Sequence, residues 1–378
     1  MILLAYLAFV SLGLPDGVLG IAWPSVRDAY GLNQAAFGLI LIGAGPGFLL
    51  SGLVVARVVT ALGLGRTLVA STALVAAGLT LFGAALPWPW PIAALALAGL
   101  GSGTIDAAIN AYAAARFSAR HVNWLHASYS LGAAAGPAIM TAALATGLGW
   151  RGGYAVLAGL LAGLTILFAA TGPMWRADAP ATVATARAAK PWAALRHPLV
   201  PIQTLLFFVY TGLEATFGAW AFTTLHEGRG APAVAAGAAV SAYFASIFVG
   251  RVALGALVGR IGSDRLVRFG TGGALAGALL FAAGPPVVGY AGLVLAGLSL
   301  APIFPTLISR TADRIPPDLA LHAVGFKVSA SMIGSAALPI AVGLAAERFG
   351  LGTVGPICVA IACFLLALHE GLLRKARA

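Results

Sequence analysis

Twelve apolar runs of roughly 20 residues, separated by short breaks, constrain this chain more than any other feature. They cover 2–22, 35–56, 67–86, 91–114, 123–148 and 153–172 in the first half. In the second half they cover 199–224, 232–256, 266–284, 287–309, 321–342 and 353–373. A helix rises about 1.5 Å per residue, so each run can cross the ~30 Å hydrocarbon core of a bilayer. A backbone in lipid must satisfy its own hydrogen bonds, and runs of this length do so as helices. Turn residues mark the breaks, as in Pro87-Trp-Pro-Trp-Pro91 and Gly284-Pro-Pro286. With 22 basic and 11 acidic residues in 378, the chain has too little charge for a water-facing surface. Twelve spans also leave no stretch for a large soluble domain. The expected fold is an all-α integral membrane protein with 12 transmembrane helices.

The chain enters its first span directly through Met1-Ile-Leu-Leu-Ala-Tyr6, without a basic leader region, so that segment is expected to stay as span 1. Cys358 and Cys363 lie five residues apart in one apolar run, point in different directions and read as packing residues.

Basic residues set the orientation. Arg27, Arg151, Arg229 and Arg348 fall on one side and Arg251 and Lys327 fall inside spans, which leaves 16 of the 22 on the other side. Positive charge favours the cytoplasm, so both termini are expected inside, in a multi-pass protein of the cell inner (plasma) membrane. All eight Trp lie near expected membrane edges, where interfacial anchors belong. The net charge of +11 is therefore topology and not a nucleic-acid footprint, because the basic residues form no single face.

The longest polar stretch divides the spans six and six. This predicts a bundle over 1–175, a cytoplasmic loop over 176–198 and a second bundle over 199–378. The halves correspond in sequence. Leu97-Ala-Gly-Leu100 matches Leu295-Ala-Gly-Leu298, and Leu125-His-Ala127 matches Leu321-His-Ala323. Gly52-Leu-Val-Val-Ala-Arg57 matches Gly255-Ala-Leu-Val-Gly-Arg260, and Gly13-Leu-Pro-Asp16 matches Gly212-Leu-Glu214 across a one-residue gap. Two parallel six-helix repeats about an axis along the membrane normal describe the major facilitator architecture.

Over essentially its whole length the chain resembles the major facilitator superfamily. Leu14-Pro-Asp-Gly17, Gly101-Ser-Gly-Thr-Ile-Asp-Ala-Ala-Ile-Asn110 and Ala301-Pro-Ile-Phe-Pro-Thr306 are similar to segments of its fucose–galactose–hexose permease group. The loop signature departs from the family pattern, which carries an acid just before the arginine. Here Ala56 precedes Arg57 and Gly259 precedes Arg260. The resemblance implies alternating access and sugar uptake coupled to protons through acids in spans 1 and 4, which places Asp16 and Asp106. Such proteins work as monomers, and a monomer is expected here.

Five charged groups lie within spans: Asp16, Asp106, Glu214, Arg251 and Lys327. Each costs about 2.5–3.5 kcal/mol near a helix centre, so each requires a partner, water or a purpose. Asp16 and Glu214 would sit at similar depth in corresponding spans, with a structural counter-charge from Lys327 as the alternative. Asp106 and Asn110 share one face of span 4 with Gly99 and Gly103. Lys327 could anchor an anion, pair with a carboxylate or snorkel to the cytoplasmic edge. Arg251, with Arg57 and Arg260, reads as a gating or headgroup residue. Phe304 lies between Pro302 and Pro305, where freed carbonyls or a packing kink are both open. Tyr129, Tyr210 and Tyr243 offer ring faces for a sugar or belong to the core.

The sequence has no Walker loop, no metal-spaced cluster and no nucleophile elbow, so an enzyme or an ATP-driven pump is not expected. The expected function is a secondary transporter importing a sugar or similar small polar solute with protons, or with sodium, and needing no other cofactor. Its partners are a small-molecule substrate and the lipid bilayer. The alternative is a proton-driven antiporter exporting a drug or metabolite, suggested by Gly132-Ala-Ala-Ala-Gly136-Pro137 in span 5. A sensor that moves nothing is a third class.

Overall fold

The computed structural model describes residues 1–175 and 191–376, and these form helices and turns with no strand among them. Span 1 is made of α1 (Ile2–Gly13) and α2 (Val18–Tyr30). Spans 2 to 6 are α3 (Phe37–Leu62), α4 (Leu64–Gly83), α5 (Trp90–Arg116), α6 (Ala119–Ala145) and α7 (Gly149–Ala170). A short α8 (Pro191–Arg196) precedes span 7, α9 (Val200–His226). Spans 8 and 9 are α10 (Ala233–Ile261) and α11 (Ser263–Ala282), and span 10 is split into α12 (Pro286–Leu300) and α13 (Ile303–Ser309). The one-turn α14 (Thr311–Arg314) leads into span 11, α15 (Pro317–Phe349), and α16 (Val354–Lys375) is span 12. Among the described residues, 10 of these spans are long and apolar enough to cross a membrane by length and composition. The other two, α6 and α11, begin in polar sequence. The loop expected over 176–198 lies outside the described residues as far as 190.

Several helices outrun their apolar cores. Helices α5, α10 and α15 carry Arg116, Arg260 and Arg348 on their last turns, where a long side chain reaches water while its stem covers apolar surface. Two connections shrink to one glycine: Gly63 (φ +77°) joins α3 to α4, and Gly262 (φ +85°) joins α10 to α11. A side chain would be strained at either turn.

The helices form two compact units. One holds spans 1–6 and the first turns of α10, Pro232–Ser241, and the other holds α9 and everything described from Ala242 onward. Within each unit the helices cross on glycine. A Cβ at Gly132 of α6 would lie 2.1 Å from the Val10 carbonyl oxygen of α1, and one at Gly334 of α15 would lie 2.1 Å from the Phe208 oxygen of α9. Gly78 packs on Ala94 and Ala98 of α5, and Gly277 packs on Gly292 and Ala296 of α12. Small residues bring backbones together where lipid offers no hydrophobic drive to do so. The repeat read from the sequence is thus also a repeat of backbone contacts.

Two spans break. In span 1, Pro15 removes a helical donor and Gly17 takes φ +69°, so the helix stops after Gly13 and restarts at Val18. In span 10 the helix ends at Leu300 and resumes at Ile303 after Pro302. Pro305 then falls in the first turn of α13, where a missing N–H costs little. The tryptophans correct the sequence reading. Trp90, Trp124 and Trp192 are exposed as membrane anchors should be, but Trp23, Trp150, Trp175 and Trp220 are buried. Trp23 donates to the Gln34 Oε1 at 2.8 Å, and Trp220 donates to the Pro339 carbonyl at 2.9 Å. A buried indole gains from an acceptor for its N–H, which Trp23 and Trp220 have and Trp175, among the described residues, lacks.

Candidate functional site

In the first unit the break in span 1 exposes a carboxylate at mid-helix depth. The Tyr129 hydroxyl of α6 donates to Asp16 Oδ2, while the Asp16 amide donates to the Gly13 carbonyl at 3.0 Å. Tyr129 reaches this far because Gly13 lets α6 approach: a Cβ there would lie 2.1 Å from the Tyr129 carbonyl oxygen. One turn toward the start of α6, His126 packs edge-on against Phe9, with ring centroids 5.4 Å apart. His121 and the Tyr6 hydroxyl meet at 3.0 Å near the start of the same helix pair.

Asp106 lies ten residues before the end of α5, about 15 Å along the axis. Its Oδ1 accepts from Asn110 Nδ2 at 2.9 Å, so the two polar residues of the span 4 face bond to each other. Among the described residues no cation pairs with Asp106. The glycines of this helix serve packing, with Gly103 seated on Phe48 and Ser51 of α3. The segment Gly132 to Pro137 does the same on the other side of the unit. Gly132 rests on Val10 and Gly136 on Leu14 of span 1, so close helix approach accounts for its glycines.

The second unit holds a different arrangement. Glu214 lies 14 residues into α9, about 21 Å along it, and Tyr210 one turn earlier donates to its Oε2 at 2.5 Å. Arg251 of α10 approaches the other oxygen, with Nη2 and Oε1 3.9 Å apart. Tyr243 of α10 donates to the Glu214 backbone carbonyl at 3.0 Å. Arg251 therefore faces a carboxylate within the span, ten residues before the end of α10. Tyr210 and Tyr243 are buried, so their rings pack in this unit. Phe304 of the broken span 10 is part-exposed and stacks against Phe207 at 5.2 Å and Tyr210 at 6.4 Å.

Lys327 is fully buried on α15 and, among the described residues, pairs with no carboxylate. Its amine donates to Thr311 Oγ1 at 2.7 Å and sits 5.6 Å over the Phe207 ring. The counter-charge to Glu214 is Arg251, and Thr311, which had no signal in the sequence, is the residue that holds the lysine.

Arg57 and Arg260 are both exposed, Arg57 five residues before the end of α3 and Arg260 on the last turn of α10. The acid missing before Arg260 is supplied beyond it. Asp264, just past the Gly262 turn, accepts from Arg314 at 2.5 Å and lies 3.8 Å from Arg310, which also binds Asp313 at 2.8 Å. Burial pulls the pKa of Arg314 below the usual arginine value, with Asp264 opposing that shift. These groups tie the α10–α11 turn to α14.

The Major Facilitator Superfamily matches residues 5–339. An uncharacterized transporter of Sinorhizobium fredii, y4wD, is 28% identical over 355 residues, covering 88% of this chain and 89% of the relative. The yeast Bypass of stop codon protein 6 (Saccharomyces cerevisiae) is 24% identical over 201 residues, 46% of this chain but 37% of that protein's length. Among solved structures, the nucleoside transporter NupG has a TM-score of 0.75 at 15% identity, with 99% of this chain and 97% of that one covered. The E. coli fucose:proton symporter FucP has a TM-score of 0.63 at 17% identity, with 97% of both chains covered.

Proposed function

The chain belongs to the Major Facilitator Superfamily, and on that premise we propose that it is a proton-coupled symporter of a sugar or similar small polar solute, working by alternating access. The observation that carries this is Asp106. It is an acid at mid-span whose partner is the neutral amide of Asn110, 2.9 Å away. With no cation paired to it among the described residues, such a carboxylate is suited to take up a proton and to release it when water reaches it. Asp16, bonded by the Tyr129 hydroxyl, is the second acid assigned to coupling or to substrate hydroxyls. Asn110 adds a donor and an acceptor for solute hydroxyls, and the part-exposed Phe304 offers a ring face. Support for a sugar comes from the hexose-permease-like segments and from the similarity to FucP, a fucose:proton symporter. Protons are preferred over sodium because a neutral-partnered lone acid suits a proton better than a metal cage. The reading places the protein in the plasma membrane with both termini cytoplasmic, as a monomer.

The test is reconstitution. Adding candidate sugars to proteoliposomes should raise external pH as protons enter with the solute, and Asp106→Asn should abolish that change. Sugar uptake that is independent of pH, and equal in wild type, Asp16→Asn and Asp106→Asn, would refute the coupling.

A further inference from the structure

The second unit carries a polar group that proton coupling does not use. The side chains of Arg251 and Glu214 are 16% and 20% exposed, although both lie well inside their spans. Exposure to lipid is excluded on cost, since a charged group at that depth turns toward protein or water. The pair therefore keeps an edge open to a polar solute and not to lipid. Its geometry is specific. Glu214 Oε2 is already taken by the Tyr210 hydroxyl, whereas Oε1 and Arg251 Nη2 stand 3.9 Å apart, too far for a direct hydrogen bond. A hydroxyl oxygen about 2.8 Å from each atom spans that gap with an angle of roughly 90° at the oxygen, accepting from the guanidinium and donating to the carboxylate. Tyr210 shows that the carboxylate accepts this chemistry, because its phenol donates to Glu214 Oε2 at 2.5 Å. Tyr243 pins the Glu214 backbone from behind, so the carboxylate is held for whatever enters in front.

We propose that Arg251 and Glu214 form a charge-neutral hydroxyl clamp that admits neutral polyhydroxylated solutes and excludes anionic ones. This rests on the reading of the protein as a transporter of a neutral polar solute, and it names how that solute is selected. Arg251 alone would attract carboxylates and phosphates. Glu214 beside it cancels the charge and repels a second anion, while leaving donor and acceptor in place for a hydroxyl. The pair sets specificity, with Glu214 serving as the counter-charge to Arg251.

The experiment uses the full chain in detergent and reads ligand-induced thermal shifts with matched probes, neutral hexoses against the corresponding hexuronates. Wild type should respond to a hexose and not to its uronate. Glu214→Gln keeps an acceptor for Tyr210 but removes the negative charge beside Arg251, and it should gain at least tenfold in apparent affinity for the uronate. Glu214→Asp should keep the wild-type preference. If Glu214→Gln does not fold, Arg251→Gln gives the test with the opposite sign: uronates stay excluded and the cationic hexosamine gains. A folded variant that gains nothing for its oppositely charged probe overturns the clamp, and so does a wild type that takes uronates as well as hexoses. Two outcomes separate this inference from the reading beneath it. If no neutral hexose shifts the wild type but Glu214→Gln still gains for uronates, the clamp stands and the sugar reading falls. If hexoses shift the wild type and the variants leave the preference unchanged, the sugar reading stands and the clamp falls.

Discussion

Thr311→Val isolates the one interaction that makes a fully buried lysine tolerable. The Lys327 amine has Thr311 Oγ1 at 2.7 Å and the Phe207 ring at 5.6 Å, and no carboxylate pairs with it among the described residues. Valine matches threonine in volume, so the substitution leaves no cavity and removes the acceptor, together with a long 3.3 Å bond from the Thr311 hydroxyl to the Leu307 carbonyl. A hydrogen bond to a charged group contributes about 1.5–3 kcal/mol, and loss of the acceptor strands the amine in an apolar setting. Taking about 2 kcal/mol, and a shift of about 2–4 °C per kcal/mol for a unit of this size, Tm should fall by about 4–8 °C. Lys327→Met fills the same space without a charge to desolvate, so its Tm should equal or exceed that of the wild type. The double variant should match Lys327→Met, because the bond is already gone, and the cycle should return a coupling of about 2 kcal/mol. Unfolding followed by intrinsic tryptophan fluorescence of the solubilised protein measures all four forms. If Thr311→Val lies within about 1 °C of wild type, the bond does not hold the lysine. If Lys327→Met keeps its Tm but loses every ligand response, the amine is a substrate anchor and the structural account is refuted.

Two further predictions concern packing and charge. Gly132→Ala and Gly334→Ala each drive a methyl to about 2.1 Å from a facing carbonyl oxygen, and each should cost at least the ~1–3 kcal/mol of an overpacked core. Gly163→Ala, in α7 with nothing within 4 Å of its added methyl, should leave Tm unchanged or raise it slightly. Size-exclusion profiles after a heat step rank the three. Tyr129→Phe reads the charge on Asp16: the loss should be about 1.5–3 kcal/mol if the carboxylate is ionised and about 0.5–1.5 kcal/mol if it is protonated. Measuring that loss at pH 5 and pH 8 decides which form is held, and a loss that is equal and small at both values removes ionised Asp16 from the account.

The number of spans, their repeat and the family were legible because lipid makes apolar length and charge placement nearly unambiguous. What the sequence concealed was the direction of side chains. Trp220 falls at the end of an apolar run, and only the Pro339 carbonyl, 119 residues away, makes it a core residue. Arg251 looked peripheral because its run appeared to end at 256, whereas α10 continues to Ile261 and places it deeper. Asp106 and Asn110 were readable as a pair because four residues along a helix bring side chains together whatever surrounds them. Asp264 was passed over because the expected acid stands before the arginine, and here it comes four residues after it. Pairs made within one helix could be read, while pairs between helices needed the crossing geometry.

That geometry explains why the two halves share a scaffold but not a polar site. The glycine crossing is the same in both: Gly132 on Val10 in one, Gly334 on Phe208 in the other. Gly13 precedes Asp16 by three residues, and Gly212 precedes Glu214 by two. One residue is about 100° of turn on a helix. In the first half Pro15 and Gly17 also open the helix, so the acid is presented to span 5 and meets Tyr129. In the second half α9 runs on unbroken, and Glu214 is rotated off the face that touches span 11. Counted from the glycines, Ser331 stands where Tyr129 would be, and its carbonyl is taken by Thr211 at 2.8 Å. Glu214 then has to be satisfied by its own helix and by span 8, through Tyr210 and Arg251. A single missing residue thereby moves the acid from a tyrosine on span 5 to an arginine on span 8. Inserting a proline between Leu213 and Glu214 should part the Glu214–Arg251 pair and remove any preference for neutral over anionic solutes.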